Sequence, residues 1–464
     1  MFPTKQIFLF ENLFDFSEKS EQNEFRGDFL NSIWSATAKA EKFPVLQGDI
    51  RTDVVIVGGG LAGILCLKEL TDRGVDCVLL EAKSIGSGTT HNTTAKITFQ
   101  HGIIYDRLTK SFGKEKAFKY LAANKNALEK IRKTAEKFPC GFEEKDAYIY
   151  SATDRRKIEN EIRAYEKLGV QAQFVSDIPL PVECIGAVKI SGQAQFHPLD
   201  FIFSVAKGLN IYENSKVTEF LPQKVRCANG SVTAKKIIVA THFPVLNKHG
   251  AYSLKLYQHR SYVIAAKNAL NVNGMYLEDK EGGFSFRNYK DYLLIGSGDH
   301  RTGKKGGGYK VSENFCKNNF PDAEIGYRFA TQDCMSLDGI PYIGRYAEDA
   351  KDIYVATGFN KWGMTSSMVA AEILSDIITG AENPYADVFY PSRSVLHPKF
   401  FSNIFHSVAG IITPTVPRCP HLGCALKYNK EEHSWDCPCH GSRFTESGEL
   451  INNPATDDMK KKPN

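Results

Sequence analysis

Two short boxes near the C-terminal end hold the residue types best suited to chemistry. Cys419-Pro-His421-Leu-Gly-Cys424 and Cys437-Pro-Cys439-His440-Gly-Ser442 each offer a thiolate and an imidazole, in the pattern C-x-H-x15-C-x2-H. Zinc takes four nitrogen or sulfur ligands in a tetrahedron and could use that set. A [2Fe–2S] cluster with two His on one iron and two Cys on the other could use it too. Each box carries an additional Cys, Cys424 or Cys439, and Ser442 can donate its hydroxyl to a cluster sulfur. His433 lies between the boxes, fits neither, and reads as a surface residue.

Residues 415–456 resemble the Rieske iron–sulfur domain, whose boxes read C-x-H-x-G-C and C-x-C-H-G-S. The resemblance makes Cys419, His421, Cys437 and His440 the ligands of a [2Fe–2S] cluster, and Cys424–Cys439 an internal disulfide. High-potential members carry Tyr two places after the Ser, where this chain has Phe444. One hydrogen bond toward the cluster sulfurs is then missing, which implies a lower potential.

A second chemistry-bearing stretch opens the chain's main body. The apolar run Thr52-Asp-Val-Val-Ile-Val ends in Gly58-Gly-Gly60-Leu61-Ala62-Gly63; a helix through Leu70 follows, then a strand, Asp76 to Glu81, that ends in an acid. This is the dinucleotide-binding βαβ pattern. The glycines permit the tight turn, the helix N-terminus faces a pyrophosphate, and Glu81 can accept from the ribose hydroxyls. The next segment, Lys83 to Lys96, is small and rich in hydroxyls, with Gly88, Thr89 and Thr90. Such a loop suits the phosphates and ribityl chain of a flavin more than a nicotinamide.

On these residues, 50–385 resembles the D-amino-acid oxidase-type FAD superfamily. The resemblance extends to Lys235–Thr241, a strand ending in Ala240-Thr241, although His242 stands where Gly is usual. It also extends to Ile353-Tyr-Val-Ala-Thr-Gly358-Phe-Asn-Lys-Trp362-Gly363-Met364-Thr365, a strand, loop and helix whose backbone N–H groups would meet the flavin N1/O2 edge. Val217 is where the family places a backbone contact to adenine. The expected FAD contacts are therefore Gly58, Gly60, Leu61, Ala62, Gly63, Glu81, Ala82, Lys83, Gly88, Thr89, Thr90, Val217, Ala240, Thr241, Gly358, Trp362, Gly363, Met364 and Thr365.

The elements that must position these groups follow. The expected fold is an α/β FAD-binding domain, Rossmann-like and of glutathione-reductase type, with an inserted α+β substrate domain and a small all-β Rieske lobe. Residues 1–40 form an N-terminal extension, in which Ser32-Ile-Trp34 resembles the lead-in of flavoprotein oxidases. Residues 41–104, 186–250 and 331–385 form the FAD-binding domain, 105–185 and 251–330 the substrate domain, 386–398 a linker and 399–464 the Rieske domain. About twenty residues flank the cluster boxes on either side, too few for a separate base sheet. The lobe is therefore expected to lean on the body through Phe400, Phe401, Ile404, Phe405, Ile411 and Ile412.

In the resembled superfamily, hydride passes from a C–H beside an amine to flavin N5, and the protein supplies position and electrostatics. Polar residues at element ends are then the candidates to meet substrate: Lys96, His101, Arg260 and His300, with Gln100, His259, Asp299 and Arg301 beside them. The function expected is an FAD-dependent dehydrogenase of a small amine or amino-acid-like substrate, passing single electrons to the cluster. The alternative is an electron-transfer or redox-sensing module without a small substrate of its own. A Rieske oxygenase is not expected, because its 2-His-1-carboxylate iron domain would have to follow the cluster and only 24 residues follow His440.

Composition narrows the partners. Over 464 residues, 42% hydrophobic and 24% charged content is ordinary for a globular protein with a sizeable core. A net charge of +5 from scattered Lys and Arg gives no nucleic-acid signal. No apolar run is long enough to span a membrane, and Met1 to Phe16 lacks the pattern of a signal peptide. Cysteines outside the boxes, such as Cys66, Cys77 and Cys227, stand singly, which suits a reducing cytoplasm. A redox partner for the cluster is implied but not identified.

Overall fold

The computed structural model describes residues 31–246, 249–393, 412–413 and 417–460. Two sheets and a small lobe carry the architecture, matching the α/β body, α+β roof and all-β lobe expected.

The body is built on strands with no polar face. Val54–Val57 and Cys77–Leu80 are buried throughout: one face packs on helix Leu61–Asp72, the other on an apolar cluster with Val225, Phe243 and Tyr346. The strand order is Tyr342–Arg345, Ile353–Thr357, Gly230–Val239, Gly48–Val57, Cys77–Leu80, Ile211–Tyr212. All of these neighbours run parallel except the Tyr342–Arg345 edge. Helix Leu61–Asp72 packs against helix Gly363–Thr379, and the latter against Tyr105–Ala135, which is interrupted at Gly113.

The glycine turn is demanded by contact. A Cβ on Gly58, at φ +111°, would sit 2.5 Å from the Ala240 carbonyl oxygen. One on Gly63 would sit 1.9 Å from the carbonyl oxygen of Gly58. The two glycines thus let the strand ends and the helix close on one another. At His242, where Gly was expected, the backbone keeps a glycine-like φ of 65°, so the turn survives the substitution.

The roof is a nine-stranded sheet ordered Glu324–Ser336, Leu256–Lys267, Tyr292–Arg301, Ser285–Tyr289, Met275–Glu278, Glu143–Ser151, Gly186–Gln195, Lys96–Ile97, with Gln173–Val175 paired to Gly186–Gln195. Three expected boundaries shift. Gly186–Gln195, assigned to the FAD-binding segments, belongs to the roof, because it pairs along its length with Glu143–Ser151. Glu324–Ser336 runs past residue 330 as one strand paired to Leu256–Lys267. The expected linker begins as packed structure, with Phe389 fully buried and Arg393 bonded to the Asp338 carboxylate.

The loop between body and roof is fixed from the roof side. Arg287, fully buried, donates to the carbonyls of Thr94 and Ala95 at 2.8 Å. Trp34, in the short helix Ile33–Thr37, lies under that guanidinium and donates to the Thr93 carbonyl at 2.7 Å. The lead-in segment therefore pins the loop that the sequence pattern associates with flavin. Because the space at Gly63 is filled by backbone, Gly63→Ala is expected to destabilise the body by about 1–3 kcal/mol. Urea unfolding of the variant, set against wild type, measures that loss.

Candidate functional site

A cavity of about 640 Å³ runs between body and roof, a size typical of cofactor and small-molecule sites. One end is walled by Gly58, Gly60, Leu61 and Ala62, by Glu81, Ala82 and Lys83, and by Gly88, Thr89, Thr90 and Val217. Ala240, Thr241, Gly358, Trp362, Gly363 and Met364 also line it. Gly63 and Thr365 do not. Gly63 is spent on helix–strand packing, and the Thr365 hydroxyl bonds the Thr98 carbonyl. Two helix N-termini, at Leu61 and Gly363, open onto this space and favour negative charge there. Glu81 accepts from the N–H groups of Gly59 at 2.6 Å and Lys83 at 2.8 Å. Burial raises its carboxyl above the ordinary range against those donors. These features fit a bound dinucleotide: a cradle lined by Gly60 and Gly88, where an added Cβ would meet only Thr90 Oγ1 at 3.5 Å or open space, and two positive helix ends.

The other end lies under the roof. Ser261, Leu277, Ser285 and Ser297 line it, with Lys96, Asp299, Asp333 and Lys361. Lys96 Nζ donates to the Tyr276 carbonyl at 2.7 Å and to Ser285 Oγ at 2.5 Å. Burial, reinforced by the Arg287 charge, brings its ammonium down to about 7. Burial likewise raises the Asp333 carboxyl to about 6, opposed by Lys361. Asp299 is held well below the carboxylate range. Burial resists its ionisation, but His259 at 3.5 Å and the Lys361 ammonium outweigh that.

Of the four residues expected to meet substrate, Lys96 alone lines the cavity. His101 is buried beside it, stacked on Trp362, with its ring nitrogens at Tyr120 Oη and the Thr98 carbonyl. Burial keeps it neutral, with its pKa down at about 3. His300 faces away, stacked on Tyr262, with Nδ1 on the Gly298 carbonyl. Arg260 points into the lobe and pairs with Glu432, Nε to Oε2 at 2.6 Å. Ser261, Asp333 and Lys361 were missed. The signal was present for Asp333: Thr331 and Asp333 are polar at i and i+2 on one strand, hence on one face.

The lobe is a four-stranded antiparallel sheet, Lys427–Asn429, Ser434–Asp436, Arg443–Thr445 and Leu450–Asn452. Its two boxes fold alike. Cys419 N–H donates to the Cys424 carbonyl and Gly423 N–H to Cys419; Cys437 N–H donates to Ser442 and Gly441 N–H to Cys437. Gly423 and Gly441 turn each loop at positive φ. Cys419, Cys437 and His440 are buried, and the His421 and His440 rings meet edge to face at 5.0 Å. Burial, then the neighbouring His440, pushes His421 down to about 4, so it is a neutral donor at pH 7. Ser442 Oγ accepts from the Ala455 N–H at 3.0 Å. Two buried thiols and two imidazoles gathered on facing loops fit a [2Fe–2S] cluster. His433 is exposed and pairs with Glu446.

The expected Cys424–Cys439 disulfide is not formed. Both are free thiols. The sulfurs of Cys424, Cys437 and Cys439 lie within 4.8 Å of one another. Donation from Cys419, then from Cys424 and Cys439, holds Cys437 well below the usual thiol range.

Docking of the lobe is polar rather than apolar among the described residues. Phe400, Phe401, Ile404, Phe405 and Ile411 lie outside those residues, and Ile412 is 72% exposed. Contact is made instead by Gln258 Nε2 to the His440 carbonyl at 2.9 Å and Gln332 Nε2 to the Gly441 carbonyl at 2.8 Å. Arg301 reaches the carbonyls of Pro438 and Cys439. A Cβ on Gly441 would meet Gln258 at 2.6 Å, so the box glycine is also what lets the lobe approach.

Fold and sites together define a flavin-dependent oxidoreductase that carries its own iron–sulfur lobe. The family model for FAD dependent oxidoreductase matches residues 53–377, and that for the Rieske [2Fe-2S] domain matches 402–463. The chain belongs to the FAD dependent oxidoreductase family and bears a Rieske domain; its cofactors are FAD and a [2Fe–2S] cluster. It is 35% identical to the Bacillus subtilis (strain 168) protein YhfW, described as a Rieske 2Fe-2S iron-sulfur protein, across 94% of this chain and 98% of that one. Gamma-glutamylputrescine oxidoreductase of Escherichia coli (strain K12) is 24% identical, across 76% and 90%. The crystal structure of L-proline dehydrogenase from P. horikoshii superposes with a TM-score of 0.63 at 20% identity, covering 75% of this chain and 98% of that one. Among the described residues no helix is long and apolar enough to cross a membrane.

Lobe docking is expected to depend on Glu432. Burial alone would raise its carboxyl above 4.5, but the Arg260 and Arg443 guanidiniums hold it at about 2. A depressed acid contributes stability above its free value, lost as pH falls through the folded one. Docking is therefore full above about pH 4.5 and fails toward about pH 2. Arg260→Met should free the lobe already at pH 7, a loss of about 3–5 kcal/mol. Limited proteolysis across this pH range checks both.

Proposed function

We propose that the protein is a dehydrogenase of a small amine, with electrons leaving the flavin for the cluster of the docked lobe. The observation that carries this reading is the continuation of the cavity beyond the glycine turn into a polar chamber under the roof. An electron-transfer module without a substrate has no use for such a chamber. The relatives named above, one acting by its name on gamma-glutamylputrescine and one on L-proline, support an amine or amino-acid class. FAD, when bound, supplies a hydride acceptor, and the cluster a one-electron acceptor.

The chain's own residues then have distinct roles. Asp333 makes the chamber wall attractive to an ammonium group, while Asp299 and Lys361 are paired with each other. Among the described residues no arginine lines the cavity, and Arg260, one of the candidates to meet substrate, is committed to Glu432. That favours amines over substrates held by a carboxylate. Lys96, with an ammonium brought down to about 7, can take the proton of the incoming substrate and leave its amine neutral for oxidation. Gln100, bonded to the Val188 carbonyl, and His101 hold the floor of the site without facing it.

Anaerobic titration with a panel of amines and amino acids, following flavin and cluster absorbance separately, tests the reading. Amines lacking a carboxylate are expected to bleach the flavin first. Bleaching by no member of the panel would favour the module reading. With an active amine, flavin reduction should slow as pH falls through about 7, because Lys96 becomes charged. Lys96→Met should lower the rate about 100-fold at pH 8 and remove that limb of the profile.

A further inference from the structure

The cavity has a third wall, and it belongs to the lobe. Beyond the last cluster ligand the chain returns through the strand Leu450–Asn452. Leu450, Ile451, Asn452, Asn453, Ala455 and Thr456 all face the space lined on its other sides by the glycine turn and by Lys83, Val217 and Thr241. This wall is tied down at both ends. The Asn453 side-chain amide donates to the carbonyls of Thr241 and Phe243, each at 2.6 Å, at the strand end that meets Gly58. Lys216 Nζ donates to the Thr456 carbonyl at 2.7 Å, next to Val217. The Asn453 carbonyl accepts from Gln258, the same amide that holds the His440 carbonyl.

We propose that residues 450–458 of the iron–sulfur lobe form one wall of the FAD site, so that dinucleotide and docked lobe hold each other in place. The proposal rests on the reading of this cavity as the FAD site. Its physical content is linkage. A ligand that contacts the docked lobe shifts the lobe toward docking, and docking raises ligand affinity by the same factor. Undocking would open the wall and let FAD exchange. The same Gln258 amide touches both the cavity wall and the His440 loop, so loss of FAD loosens the cluster loop as well.

The experiment uses the full chain, stripped of flavin by chaotrope dialysis and titrated with FAD by fluorescence quenching. Two variants separate contact from coupling. Asn453→Ala removes the tie at the wall. Glu432→Gln weakens docking at a position that does not line the cavity. Both are expected to raise the Kd for FAD about tenfold, within the usual range of coupling between sites. A second readout needs no variant: hydrogen exchange of wild-type amides in 437–443 and 450–458, with and without FAD. Slower exchange in both segments on FAD binding supports the linkage. Unchanged exchange overturns it, as does an unchanged Kd in both variants while wild type binds FAD. If wild type takes up no FAD, the reading of the cavity falls first, and this inference with it.

Discussion

The buried charge cluster between roof and lobe is the interaction on which the arrangement depends. Arg260 and Arg443 share the carboxylate of Glu432, and Arg443 is further held by Asp436 at 2.9 Å and Ser434 at 2.8 Å. Taking these groups out of water costs much of what their attraction returns. The gain is orientation. The fork of each guanidinium accepts one geometry, so the lobe seats in one register with the His440 carbonyl over Gln258. A greasy patch of the same area would have allowed the lobe to slide. The cofactor sites are thereby kept in a fixed relation, which single-electron transfer needs.

That interaction also explains what happened to Arg260. At an element end of a flavin fold, an arginine reads as a candidate to meet substrate. Its partner stands 172 residues later in the chain, in a segment with its own motif. Nothing local in the sequence marks the pair. With Arg260 committed to the lobe, the chamber keeps Lys96, Asp333 and the Asp299–Lys361 pair, which is the physical basis for the amine reading.

What was legible in the sequence was what backbone sterics or ligand chemistry fix locally. Gly58 and Gly63 are forced by contacts within one βαβ unit. The box glycines Gly423 and Gly441 are forced by turns of six residues or fewer, and the Cys and His pair of each box offers the donor types that a [2Fe–2S] cluster accepts. Long-range polar contacts were not legible. Asn453 carries no motif, yet it spans more than two hundred residues to reach Thr241. Gly186–Gln195 could equally have joined either sheet until its partner strand was known. The Cys424–Cys439 pairing followed from resemblance alone, whereas in this structure both are free thiols gathered within 4.8 Å of the Cys437 sulfur.

The central claim is that electrons pass from flavin to cluster within one docked molecule. Anaerobic stopped-flow reduction by an active amine, with rapid-freeze electron paramagnetic resonance of the cluster, tests it most directly. The account predicts that the reduced-cluster signal follows flavin bleaching with a first-order rate independent of protein concentration. A rate that scales with protein concentration, or a cluster that stays oxidised while the flavin is fully reduced, would contradict it.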